Sequence, residues 1–152
     1  MKILSRVAIG AVFFGAFAGT LAAADGKLMH CFYFTPVASA SDADWQAFYK
    51  ATDALPSKIP GLLRVWYGKL VRPMPVFNVD AETRKKFSDT NNKVEGQATI
   101  TRVIRQHGVC MEFKDEAALK SYAAHPEHKA WEDVYGKVRV PGTTTLDFVA
   151  PK

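Results

Sequence analysis

Apolar positions in this chain alternate in short blocks at four places and recur at helical spacing between them. Met29-His30-Cys31-Phe32-Tyr33-Phe34 is aromatic and strand-like, and Pro36 closes it. Ser41-Asp42-Ala43-Asp44 then reads as a helix start, with Ser41 as N-cap and Asp44 completing the box. Trp45, Phe48, Tyr49, Thr52 and Leu55 follow on one helical face, with Lys50 and Asp53 on the other. Pro56 and the Ile59-Pro60-Gly61 turn are expected to end that helix. Leu62 to Tyr67 reads as a second strand that stops at Gly68.

From about Arg72 to Thr99 the periodicity lapses. Pro73, Pro75, Asn91, Asn92 and Gly96 interrupt the stretch, and Arg84-Lys85-Lys86 is a solvated basic cluster. The expectation is a long inserted loop at 72–99, with two helical turns between Asp80 and Phe87. Order returns at Ile100, and His107 to Phe113 reads as a third strand. Asp115 can cap the next helix, Ala117 to Ala124, which is rich in helix formers. His125-Pro126 interrupts it, because proline disfavours the helical region for the residue before it. A second helical piece carries His128, Trp131 and Tyr135 on one face, and β-branched residues from Thr143 to Val149 form the last strand.

The order is therefore β-α-β, excursion, β-α-β, the split pattern of a ferredoxin-like α+β domain. Its antiparallel four-stranded sheet carries the helices on one face. The other face, aromatic in these strands, is left bare, and a homodimer is expected to cover it.

The start of the chain is a separate matter. Lys2 and Arg6 precede an uncharged run from Val7 to Ala24, and Ala22-Ala23-Ala24 supplies small residues ahead of Asp25. That is the pattern of a secretory signal peptide over residues 1–24, cleaved near Ala24/Asp25; an N-terminal membrane anchor is the alternative. The working domain is then residues 25–152, about 128 residues with one core, in the periplasm or outside the cell. Losing Lys2 and Arg6 takes the formal net charge from +5 to +3, spread along the chain, which argues against nucleic-acid binding. No later segment is long and apolar enough to cross a bilayer, so no membrane partner is expected after cleavage. Cys31 and Cys110 are the two cysteines, and export lets them oxidise; both also sit in apolar strand-like runs where reduced, buried cysteines occur.

Candidate chemistry centres on the 4 histidines. His30, Phe32 and Phe34 share one strand face, and His107, Val109, Met111 and Phe113 share another. With both faces turned to the helices, His30 and His107 line one cavity with His128. The element Tyr122-Ala123-Ala124-His125-Pro126-Glu127-His128 follows Val109 to Glu116 and precedes Trp131-Glu132-Asp133-Val134-Tyr135. Together with Ile59-Pro60-Gly61, Tyr67-Gly68-Lys69 and Leu146-Asp147-Phe148, it resembles the signature of the Dabb (stress-responsive α/β barrel) family. The resemblance spans roughly residues 28–150 outside the 72–99 stretch.

It implies a ferredoxin-like domain paired into a dimeric α/β barrel, a small apolar or aromatic ligand, and no cofactor. The family's best-understood activity is cofactor-free polyketide cyclisation. By that resemblance His128 stands at the catalytic histidine and Tyr122 at its tyrosine partner, with His30 and His107 at its other pocket histidines; Phe32 and Trp131 are further pocket candidates. A near-neutral histidine can remove a proton from carbon between two carbonyls while a phenol donates to the developing enolate.

Residues six apart on one continuous helix are turned about 120° from each other. Tyr122 and His128 can therefore converge only if the His125-Pro126 break redirects the second piece. Two function classes remain: a noncatalytic protein holding a small hydrophobic ligand, and a cofactor-independent lyase or cyclase acting on a β-dicarbonyl compound. Metal binding through His125 and His128 with His30 or His107 lacks an accompanying Cys, Asp or Glu motif, so no metal is expected. No phosphate-cradling glycine loop follows a strand.

Overall fold

The computed structural model describes residues 27–88 and 95–149. The leader at 1–24, its cleavage point at Asp25 and part of the 72–99 stretch lie outside the described residues. In chain order the elements are β1 (Leu28–Phe34), α1 (Asp42–Lys58), β2 (Leu62–Val79), α2 (Ala81–Ser88), β3 (Ile100–Phe113), α3 (Glu116–Ala123), α4 (Pro126–Val138) and β4 (Thr144–Val149). The strands form one four-stranded sheet in the order β2-β3-β1-β4, and every neighbouring pair is antiparallel. This is the ferredoxin-like α+β fold, with its second helix split in two and α2 inserted between the second and third strands.

Local chemistry accounts for most of the boundaries. Ser41 and Asp44 form the capping box of α1, and Asp115 accepts the Ala118 N–H at 2.8 Å to open α3. Gly61 turns the chain from α1 into β2 at φ 85°, and a Cβ there would stand 2.5 Å from the Ala118 side chain. Pro56 does not end α1, contrary to the sequence expectation; the helix continues to Lys58 with Ile59 as C-cap. A proline this near the C-terminus removes one bond to the carbonyl four residues back and leaves only two further helical residues to accommodate it.

The 72–99 stretch differs more. Far from a loop, its first part is strand: β2 runs on to Val79, and Met74 to Val79 pair with Arg105 to Ile100 as a long two-stranded ribbon. A register shift between Lys69 and Met74 absorbs Leu70 to Pro73 as a bulge. Pro73 and Pro75 are tolerated because β2 is an edge strand. At the ribbon's end Asp80 accepts the Thr83 N–H at 2.8 Å and its hydroxyl at 2.9 Å, starting α2.

The core lies between the helices and one face of the sheet. Phe34, Phe48, Trp131 and Tyr135 are its aromatic centre, with the Tyr135 ring 5.1 Å from Phe34 and 4.7 Å from Trp131. Thr52 is wholly buried here. Its hydroxyl donates to the Phe48 carbonyl at 2.7 Å and accepts the Trp131 indole N–H at 2.9 Å, so neither polar group is stranded.

On the opposite face of the sheet the register aligns Trp66, Cys110, Cys31 and Leu146 in one row across all four strands. Cys31 and Cys110 are joined as a disulfide, with Cα atoms 4.1 Å apart. Met29 and Phe148 lie in the next row, beside Glu112 and Arg64. No helix of the described residues covers this face, and Trp66, Leu146 and Phe148 are 46%, 49% and 51% exposed.

Candidate active site

The α3–α4 corner builds the site. After Ala123 the chain leaves helical geometry, and His125 takes an extended conformation as the N-cap of α4. Pro126 at N1 has no N–H to leave unsatisfied. The turn swings the second piece so that the rings of Tyr122 and His128 come to 4.1 Å. The redirection that the helical geometry demanded is therefore present.

These two residues line an open cleft of about 430 Å³ between the sheet and the helices, together with His30, Phe32, Trp131, Tyr135 and Arg139. That volume lies in the range of small-molecule sites. Phe32 and Trp131 form its apolar wall, 5.8 Å apart and edge to face. Trp131 is also stacked on His128 at 5.9 Å, so it forms a wall and does not fill the space.

Tyr122 stands between two imidazoles, 4.1 Å from His128 and 6.2 Å from His30. Burial pushes its phenol well above the ordinary value, so it stays protonated and acts as a donor. His128 is held below the ordinary imidazole value, chiefly by burial, with Glu132 pulling the other way. Its Nδ1 lies 3.4 Å from the Ala123 carbonyl, and its Nε2 is 3.9 Å from Glu132. With Nδ1–H donating to that carbonyl, Nε2 carries the free lone pair. His30 presents its Nδ1 to Asp147 at 2.6 Å, which orients the ring in the same way. The arrangement sets the His128 lone pair beside a neutral phenol donor and an apolar wall, which suits proton movement at an activated carbon.

Five of the six expected site residues thus share one cleft: His30, Phe32, Tyr122, His128 and Trp131. His107 does not. It is on the helix-facing side, as expected, but the register pairs it with Phe34, whereas His30 pairs with Met111. The two histidines are four residues apart along the strands, or about 13 Å. His107 instead packs against Phe34 and Trp45 at 5.6 and 4.9 Å in a separate depression bounded by Pro36, Tyr49 and Lys69. His125 is occupied in capping, its Nδ1 accepting the Glu127 N–H at 3.2 Å. Among the described residues no group of three or more His, Cys, Asp and Glu side chains is placed to hold a metal ion.

Asp147, Glu132, Tyr135 and Arg139 were not singled out as site residues. Asp147 was visible within Leu146-Asp147-Phe148, but its pairing with His30 depends on the β1–β4 register. Tyr135 and Arg139 continue the stripe of His128 and Trp131 at helical spacing along α4, a signal that extends one turn past the sequence motif.

The depressed histidines have a consequence for stability. His128 and His107 both bind a proton less readily when folded, mainly through burial. The unfolded chain therefore holds more protons below the ordinary value of 6.5, and stability falls as pH drops through that region. Urea unfolding at pH 8 and pH 5.5 should give a lower midpoint at the acid value. In His128→Gln the drop should be smaller; an identical drop would remove His128 from this account.

The fold has counterparts among solved structures. A dabb family protein with a ferredoxin-like fold from Mesorhizobium loti is 20% identical, with a TM-score of 0.53, covering 84% of this chain and 99% of that one. A dimeric protein of unknown function and ferredoxin-like fold from Bacteroides fragilis is 19% identical at a TM-score of 0.51, covering 82% and 97%. Hydroxynitrile lyase from Passiflora edulis is 9% identical at 0.56, covering 84% and 96%. No protein-family model matches the chain, and no curated protein matches it. The chain thus shares the ferredoxin-like fold of these proteins, the fold that the resemblance read from its residues implied.

Proposed function

We propose that this protein is an exported, homodimeric member of the Dabb family that binds a small hydrophobic carbonyl compound in the cleft between sheet and helices. The observation that carries this reading is the open, aromatic-walled cleft with Tyr122 at its edge, a phenol without a hydrogen-bond partner among the described residues. Export rests on the leader pattern at residues 1–24 and accords with the Cys31–Cys110 bridge, which needs an oxidising compartment. Dimerisation rests on the bare apolar face and accords with the dimeric Bacteroides fragilis relative in fold.

The contact between Tyr122 and a neutral His128 favours a second reading, a cofactor-independent lyase or cyclase. In it, His128 Nε2 takes a proton from the carbon between two carbonyls as general base. The C–H electron pair forms the enolate, and the Tyr122 hydroxyl donates to its oxygen. The lyase activity of the Passiflora edulis enzyme, which shares the fold, shows such scaffolds hosting chemistry but assigns none here.

Benzoylacetone, a phenyl β-diketone, tests both. Its addition should shift the His128 imidazole signals in NMR, and Tyr122→Phe should weaken binding about three- to ten-fold through the lost hydrogen bond. If the second reading holds, deuterium exchange at the central carbon will run above background and fall about a hundredfold or more in His128→Gln. Binding without accelerated exchange leaves the protein a binder. Imidazole signals that stay fixed across the whole titration would remove the cleft as a ligand site.

A further inference from the structure

The cleft has a second end. His128, Trp131, Tyr135 and Arg139 follow one stripe down α4 and its C-cap, and seven residues of helix separate His128 from Tyr135, about 10 Å. At that far end three features are left unresolved by the protein itself. Among the described residues the Tyr135 hydroxyl is buried with no hydrogen-bond partner, and so is Nε of Arg139, whose guanidinium lies over the Tyr135 ring at 4.5 Å. Arg105, behind them on β3, is 6% exposed, yet among the described residues its side-chain hydrogen-bond partners are only the Thr144 and Thr35 hydroxyls at 3.3 and 3.4 Å.

A buried guanidinium without a carboxylate, and a buried phenol without an acceptor, are both costly. A cation at the end of α4 and its contact with an aromatic face would account for Arg139 alone. They do not satisfy the Arg139 Nε, the Tyr135 hydroxyl or the charge of Arg105. One anionic acceptor would answer all three. Both arginines act on the Tyr135 phenol in the direction of a positive field, although burial outweighs them.

Taking the cleft as a ligand site, we propose that its Tyr135–Arg139 end is an anion subsite, backed by Arg105, for the carboxylate of an apolar acid. The acid's body lies along Phe32 and Trp131, and its other end reaches Tyr122 and His128. The ligand class is therefore an aryl or alkyl carboxylic acid about 10 Å long, bound in preference to a neutral compound of the same shape. Arg139 and Tyr135 make the contacts, and Arg105 supplies charge from behind.

Calorimetric titration of the full chain with 4-phenylbutanoate and its neutral isostere 4-phenylbutanamide, at neutral pH and low salt, tests this. The acid should bind about ten-fold or more tightly than the amide, the size of one charge-assisted hydrogen bond. Arg139→Gln should bring the two to near parity, and Tyr135→Phe should narrow the gap while preserving ring packing. Equal binding of acid and amide by the unaltered chain overturns the anion subsite and leaves the cleft reading standing. An acid preference that survives in both variants also overturns it, since the carboxylate then binds elsewhere. Failure of both compounds to bind overturns the subsite together with the reading on which it rests.

Discussion

Replacing both Cys31 and Cys110 by alanine is expected to lower stability by about 4 kcal/mol, the largest single loss available without emptying the core. The bridge closes a sequence separation of 79 residues, and the chain-entropy relation for a loop of that size gives about 4.5 kcal/mol. The effect lies in the unfolded chain. In the folded one, the flanking positions Phe32 opposite Val109 and His30 opposite Met111 still pair and remain packed against the helices. The fold should therefore survive the substitution with a weaker hold. Urea unfolding of the oxidised protein, the same protein with reductant, and the double alanine variant is the measurement. The last two should shift to lower midpoints by similar amounts. A midpoint insensitive to reductant would mean that the strands are not bridged in solution.

How much of this was legible in the residues follows from what each feature depends on. The capped starts of α1 and α3 and the break at His125-Pro126 are local, and local chemistry announced them. Burial alternation in β1 was legible for the same reason, since Leu28, Phe32 and Phe34 alternate with Met29 and Tyr33. The ribbon from Met74 to Val79 was not, because two prolines imitate a loop. Their tolerance depends on β2 lying at the sheet edge, a tertiary fact. Pro56 misled similarly, its cost depending on how little helix followed.

The site divides along the same line. Tyr122 and His128 are brought together by a local corner, so the sequence element that contains them carries their contact. His30 and His107 sit on different strands, and their separation is a matter of register, which periodicity cannot supply. Alternation correctly assigns both to the helix-facing side, but it is silent on position along that face. Asp147 illustrates the converse, since the register that sends His107 away from the cleft also brings a carboxylate onto His30. The end of the cleft at Arg139 was hidden for a different reason: a basic residue after a helix ordinarily signals only the helix terminus.

Substituting Trp66 by glutamate is expected to convert the proposed dimer to monomers and raise its dissociation constant about a thousandfold or more. Trp66 stands in the row that runs through the disulfide to Leu146, with strands about 4.8 Å apart. Met29 and Phe148 extend the apolar surface, and Glu112, held by Lys27 at 2.8 Å and Arg64 at 2.7 Å, gives it a charged margin. Arg64 also lies over the Trp66 ring at 5.2 Å, so the indole is held in place before any partner arrives. Aromatic anchors of this kind contribute about 2 kcal/mol or more, and two-fold symmetry makes each substitution count twice. A buried, unpaired carboxylate adds to that loss. Sedimentation across a wide concentration range should find the unaltered chain dimeric and Trp66→Glu monomeric. Because the cleft opens on the other face of the sheet, the substituted chain should keep its folded imidazole signals, which separates a lost interface from a lost fold. A monomeric wild-type chain at high concentration would mean that something other than a second copy covers this face.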